Sequence, residues 1–337
     1  MGASKEIKEK AAIILAEIKK AKSILLHCHP SPDPDSVGSA LAMKFALEQF
    51  GKEATVIKGD SDFPDEFRHF PGANGIVEKN FLEIDQSQFD LFIILDSARI
   101  EMVSRRGEVR FSPSLKTIAI DHHQSNSGFA GINLVAPSYP ANCQLLYDIF
   151  KEWGIKMTPE IAADLFIGMY TDTGAFKYGG VDHRTYEAVS ELSKHIADIP
   201  SLILKMENSN KPEFIAFEGK ALSSIETFLG GVMAISFVPL AFLKESGIEP
   251  AQVRTSEVSS FMLTVKDWKI AVSAVEIEPD IIKFSFRSKD ADRFDVSKLT
   301  GQLGGGGHKA AAGLILKKPW PEARDLVVST AKSLYNL

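Results

Sequence analysis

His29-Pro30-Ser31-Pro32-Asp33-Pro34-Asp35-Ser36-Val37-Gly38-Ser39 follows the apolar run Ser23-Ile24-Leu25-Leu26 and precedes Ala40–Phe50, where apolar residues recur at helical spacing. The short run reads as a buried strand, so the stretch is a strand-to-helix loop. Its three prolines bias the residues before them toward extended backbone, which predicts that His29, Asp33 and Asp35 are displayed by the loop rather than wound into the helix. One imidazole and two carboxylates make a hard, oxygen-rich ligand set, suited to a divalent ion such as Mn2+. The alternative is an N-cap region whose Asp and Ser side chains satisfy free helix N–H groups.

Two further apolar runs end in the same residue types. Leu91-Phe92-Ile93-Ile94-Leu95 leads into Asp96, and Thr117-Ile118-Ala119-Ile120 into Asp121-His122-His123. Unbroken runs of this length mark strands buried on both faces of a parallel sheet. In open α/β sheets the functional crevice lies beyond the carboxyl ends of the strands, so these groups are expected to converge although far apart in sequence. Helices are expected over Pro140–Trp153 and Pro159–Tyr170, the second running into Thr171-Asp172-Thr173-Gly174, and another over His183–Ile196. Together His29, Asp33, Asp35, Asp96, His122 and Asp172 offer ligands enough for two divalent ions that share carboxylates. His27 reads as a packing or supporting histidine rather than a ligand.

From Asp198 to Lys220 the pattern shortens into pieces broken by Pro200 and Pro212, with a polar run at Glu207-Asn208-Ser209-Asn210-Lys211. The fold class expected is α/β, with a parallel-sheet domain over 1–198, a linker over 199–222 and a second, smaller α/β domain over 223–337. Strands are expected there at Val232–Phe237, Lys269–Ile277 and Ile281–Phe286, helices within Phe242–Leu263, and a closing helix over Trp320–Tyr335.

Composition narrows the function. A length of 337 residues suffices for two domains and a sizeable core. The two cysteines, Cys28 and Cys143, cannot form a disulfide framework and point to a reducing, cytoplasmic setting. The opening amphipathic segment is studded with Lys and Glu, unlike a signal peptide, and a lipidation signal at Gly2 would want Ser or Thr where Glu6 stands. No apolar run is long enough to span a membrane. A net charge of −6 disfavours coating of long nucleic acid, yet Lys283–Lys318 holds eight Lys and Arg against three Asp. That basic segment contains the run Gly304-Gly305-Gly306-Gly307-His308, whose backbone can approach a phosphate closely, and Arg287, whose guanidinium suits phosphate. The alternative for the glycines is a tight turn into a helix beginning near Lys309.

The His-X-X-Pro-Asp-X-Asp block, the strand-end Asp96, the Asp121-His122-His123 triplet and Thr171-Asp172-Thr173-Gly174 resemble, in order, the four motifs of the DHH phosphoesterase superfamily. Gly304–Gly313 resembles the glycine-rich motif of the DHH-associated C-terminal domain. The resemblance implies a manganese-dependent phosphoesterase whose site lies in a cleft between two domains. His29 and Asp33 would bind one ion, Asp35 and His122 the other, with Asp96 and Asp172 shared. His123 would face the scissile phosphate and Asp121 would orient an imidazole, while Arg287, Gly304, Gly305, Gly306, Gly307 and His308 would hold the substrate. Pro34 stands where the family often has Gly.

A chain of this length and layout is most similar to the superfamily's oligoribonucleases of very short RNA (nanoRNases), several of which also dephosphorylate 3′-phosphoadenosine 5′-phosphate. The expected partner is therefore short single-stranded RNA or a nucleotide, with no membrane; a homodimer is the assembly considered. The alternatives are a phosphodiesterase of cyclic or linear signalling dinucleotides and an inactive nucleotide-binding module. The full set of motif residues argues against the last.

Overall fold

The apolar runs become strands that lie side by side and parallel. The computed structural model, which describes residues 4–208, 211–253 and 255–337, divides into two units, Met1–Ser209 and Asn210–Leu337. Gly2, Ser209, Asn210 and Arg254, on which parts of the sequence reading fall, lie outside the described residues.

The first unit runs α1 (Lys5–Lys20), β1 (Ser23–His27), α2 (Pro34–Gln49), β2 (Glu53–Ile57), β3 (Leu91–Leu95), β4 (Lys116–Asp121), β5 (Ile132–Val135), α3 (Asn142–Glu152), α4 (Pro159–Asp172), α5 (His183–Ser193) and α6 (Ile199–Glu207). The five strands form one parallel sheet in the order β2-β1-β3-β4-β5. The chain steps from β1 outward to β2 and returns to the other side of β1 for β3, so a crevice opens between the carboxyl ends of β1 and β3. One sheet face packs Leu26, Ile93, Leu95 and Ile118 against helical side chains such as Ile14, Leu41, Leu145 and Leu165. The other packs Leu25, Phe92, Ile94 and Ala119 against Phe81, Val103 and Leu115 from the connecting segments. Burial on both sides explains the unbroken apolar runs, each large side chain contributing roughly 1.5–3 kcal/mol.

The prolines act differently from the sequence reading. Pro34 opens α2, where its missing N–H costs nothing and its fixed φ suits a helix. Asp35 is therefore wound into the first turn of α2 instead of standing in an extended loop, which corrects the expectation for that residue. Asp33 is the N-cap, its Oδ1 accepting from Ser36 N–H at 2.9 Å. Pro200 and Pro212 likewise sit in first helical turns. The stretch 199–222 thus forms α6 in the first unit and α7 (Pro212–Ser223) in the second. Strand β5, with one fully buried residue in four, was not anticipated.

The second unit continues with β6 (Glu226–Phe228), β7 (Met233–Val238), α8 (Leu240–Glu245), α9 (Thr255–Met262), β8 (Ile270–Glu278), β9 (Ile281–Ser288), α10 (Val296–Gln302), β10 (Gly306–His308), β11 (Ala311–Lys317) and α11 (Trp320–Tyr335). Its six strands are ordered β10-β11-β9-β8-β7-β6, with β7 and β8 parallel and the other pairs antiparallel. Helices α10 and α11 cover one face and α7, α8 and α9 the other. The glycine run does not lead into a helix near Lys309; it enters the β10–β11 hairpin. A Cβ on Gly305 would lie 2.4 Å from the Gly313 carbonyl oxygen, and one on Gly307 2.5 Å from Ala312 Cα, so close strand approach requires both glycines. A Cβ on Gly306 would meet nothing within 4 Å. His308 and Arg287 both register against Ala311, from the strands on either side of it, and so share one sheet face. Among the described residues, no helix is long and apolar enough to cross a membrane.

Candidate metal centre

All six residues expected to bind metal meet beyond the carboxyl ends of β1, β3 and β4. His29 Nε2 lies 3.3 Å from Asp33 Oδ2 and 3.7 Å from Asp96 Oδ2. His122 Nε2 lies 3.4 Å from Asp96 Oδ1, 3.5 Å from Asp172 Oδ2 and 3.9 Å from Asp35 Oδ2. Three overlapping clusters result, His29–Asp33–Asp96, Asp35–His122–Asp172 and Asp96–His122–His123, and Asp96 turns Oδ2 toward His29 and Oδ1 toward the histidine pair, 3.6 Å from His123 Nδ1. Asp172 groups with Asp35 and His122; no cluster among the described residues pairs it with His29.

Backbone and neighbours aim these groups. Asp96, next after β3, adopts φ +51°, a left-handed conformation that costs a non-glycine residue about 1–2 kcal/mol. Its Oδ1 is buried and makes no hydrogen bond. His122 Nδ1 lies 3.1 Å from the Tyr139 carbonyl; donation there directs Nε2 at the carboxylates, its lone pair becoming available to a metal once that nitrogen is deprotonated. Asp35 accepts from Asn142 N–H at 2.6 Å and Cys143 N–H at 2.9 Å, capping α3 from a neighbouring helix. Gly168 lets that contact close, since a Cβ there would lie 2.3 Å from Cys143 Sγ and 2.8 Å from Asp35 Oδ1.

His123 differs from His122. Its Nδ1 is 2.8 Å from Asp121 Oδ1, and Asn126 Nδ2 donates to Asp121 Oδ2 at 2.8 Å. Asp121 is fully buried while His123 is partly exposed, so the pair holds the ring with Nε2 free of these partners. Asn126 and Tyr139 were missed by the sequence reading. An asparagine three residues after the histidine pair was the only available signal for the first. A backbone carbonyl leaves no residue-type signal for the second.

The crowding shows in the protonation equilibria. Burial depresses His122, but Asp96, Asp35 and Asp172 around it push its imidazolium up to about 10. Burial, with Asp35 and Asp96 nearby, raises Asp172 to about 8, and burial with Asp96 raises Asp35 to about 6. His123 is raised by its bond to Asp121, against burial. Burial works against the charge on Asp33, yet His29 beside it holds the carboxyl below its ordinary value. A buried carboxylate oxygen without a hydrogen bond, facing oriented imidazole nitrogens among mutually repelling acids, fits a hard divalent cation. His27 is buried with neither ring nitrogen bonded, its ring 5.3 Å from that of Phe92, and burial lowers it to about 4; it is a packing residue.

Residues 23–169 match the DHH family, N-terminal domain, and residues 236–336 the DHHA1 domain. The chain thus carries a DHH domain followed by a DHHA1 domain. It is similar to the bifunctional oligoribonuclease and PAP phosphatase NrnA of Thermus thermophilus, with 27% identity covering 90% of this chain and 88% of the relative. The protein of the same name from Bacillus subtilis is 23% identical, covering 95% and 97%. The crystal structure of an exopolyphosphatase-related protein from Bacteroides fragilis superposes with a TM-score of 0.85 at 22% identity, covering 98% of this chain and 97% of the other, which shows the fold.

Proposed function

We propose that this protein is a two-metal, Mn2+-dependent phosphoesterase that hydrolyses very short RNA and 3′-phosphoadenosine 5′-phosphate. The observation that carries this reading is Asp96, whose two oxygens face two separate clusters of hard ligands. The relatives named oligoribonuclease and PAP phosphatase, similar along nearly the whole chain, support the substrate class.

In this reading His29 and Asp33 would hold one ion and Asp35, His122 and Asp172 the other, with Asp96 available to both. Metal held by these residues would supply positive charge to phosphoryl oxygens and lower the pKa of a water. Asp121 keeps the proton on His123 Nδ1, leaving Nε2–H to donate to the leaving oxygen as general acid. The bond to Asp121 raises the pKa of His123 above that of a free imidazole, the direction a proton donor needs. Arg287, His308 and the Gly304–Gly307 backbone hold a phosphate or base of the substrate; Gly306, which no internal contact requires to be glycine, supports this. The buried free thiols Cys28 and Cys143 support a cytoplasmic setting.

The test is a turnover panel with Mn2+, using two- to five-nucleotide RNAs, a ~20-nucleotide RNA, 3′-phosphoadenosine 5′-phosphate, cyclic dinucleotides and pyrophosphate, at fixed salt because phosphate contacts are salt-sensitive. The proposal requires the highest kcat/KM on two- to four-nucleotide RNA, and a loss on those substrates in Arg287→Ala with ion binding intact. Preference for cyclic dinucleotides over short RNA would replace it with the signalling-dinucleotide reading.

A further inference from the structure

One segment, Ala136–Cys143, leading from β5 into the first turn of α3, touches three residues of the centre through its backbone. Ala136 N–H donates to the Asp121 carbonyl at 2.9 Å. The Tyr139 carbonyl lies 3.1 Å from His122 Nδ1. Asn142 N–H and Cys143 N–H donate to the two oxygens of Asp35. Ring orientation at His122 and carboxylate orientation at Asp35 therefore depend on where this segment sits.

Tyr139 anchors it. Its side chain is 4% exposed, and its hydroxyl donates to Asp148 Oδ2 at 2.7 Å. The Arg184 guanidinium lies 5.6 Å from the centre of its ring, and Arg184 is itself held by Asp182 at 2.9 Å. Asp148 and Arg184 also line a cavity of about 620 Å³ between α3 and α5. Removing the tyrosine hydroxyl thus leaves Asp148 with access to water, and the substitution does not orphan a sealed charge.

We propose that Tyr139 is a positioning residue of the centre: its hydroxyl, held by Asp148, places the carbonyl that fixes His122 and, through the same segment, the amides that hold Asp35. The proposal rests on the reading that the centre binds divalent ions. A tyrosine that merely fills space would affect stability alone.

The test is Mn2+ titration calorimetry on the full-length, metal-free protein. Tyr139→Phe and Asp148→Ala are expected to bind Mn2+ about 10–100-fold more weakly, the usual cost of losing a partner behind a ligand. Asp148→Asn keeps an acceptor for the hydroxyl and should bind like wild type. The double variant should be no weaker than either single one, since both break the same link. Lowered Tm in the variants with Mn2+ affinity unchanged would overturn the proposal. If wild type takes up no Mn2+, the metal reading fails, and the ¹⁵N imidazole resonances of His122 decide the positioning role: a changed Nδ1–H signal in Tyr139→Phe supports it, an unchanged one refutes it.

Discussion

His123 and Asp121 form a 2.8 Å hydrogen bond in which the carboxylate is fully buried and the imidazole is not. His122, its neighbour in sequence, instead bonds a backbone carbonyl and turns its other nitrogen to three carboxylates. Adjacent histidines thus have different orienting partners, as the proposed division between ligand and proton donor requires. His123→Ala should retain Mn2+ binding while kcat falls about 10²–10⁴-fold. Collapse of metal content in that variant would make His123 a ligand instead.

Asp96 is strained as well as crowded, with φ +51° and the imidazoles of His29 and His122 at 3.7 and 3.4 Å on its two sides. Asp96→Gly and Asp96→Ala should both abolish turnover, but the metal-free Gly variant should be about 1 kcal/mol more stable than the Ala variant, because both lose the carboxylate and only glycine accepts a left-handed backbone without strain. Urea unfolding measures this; an Asp96→Gly protein no more stable than Asp96→Ala contradicts the strain.

Gly168 carries packing that the centre needs. Gly168→Ala would drive a methyl into Cys143 Sγ and Asp35 Oδ1, costing about 1–3 kcal/mol and displacing a carboxylate oxygen. Thermal unfolding and Mn2+ calorimetry should both register the loss. A variant with unchanged Tm and affinity would show that α3 and α4 separate freely.

Ion uptake should release protons. In the metal-free protein at pH 7, His122, raised to about 10, and Asp172, raised to about 8, keep their protons, and both must lose them to act as ligands. Affinity should therefore weaken as pH falls from 8 to 6, by at least about tenfold per unit, since each released proton contributes one power of ten. Calorimetry in buffers of different ionisation enthalpy counts the protons. A pH-independent affinity would mean that these groups are not ligands.

The convergence of His29, Asp96 and His122 was legible in the sequence because each follows a strand whose unbroken apolar run announces burial on both faces. What misled were prolines. Pro34, Pro200 and Pro212 read as loop or breaker signals, yet each lies in a first helical turn, where the ring is tolerated. Strand β5 escaped because Ile132-Asn133-Leu134-Val135 is short and mostly half-buried, without strong periodicity. The hairpin after Gly304–Gly307 was open between phosphate loop and helix start, since four glycines specify close approach without saying to what. Tyr139 was invisible for a deeper reason: it reaches His122 through a carbonyl that every residue possesses.

Anomalous diffraction from crystals grown with Mn2+ tests the central claim most directly. The account predicts two manganese peaks roughly 3.5–4 Å apart, one against His29 and Asp33, the other against Asp35, His122 and Asp172, with Asp96 contacting both. A single peak, or two peaks that do not share Asp96, would contradict it.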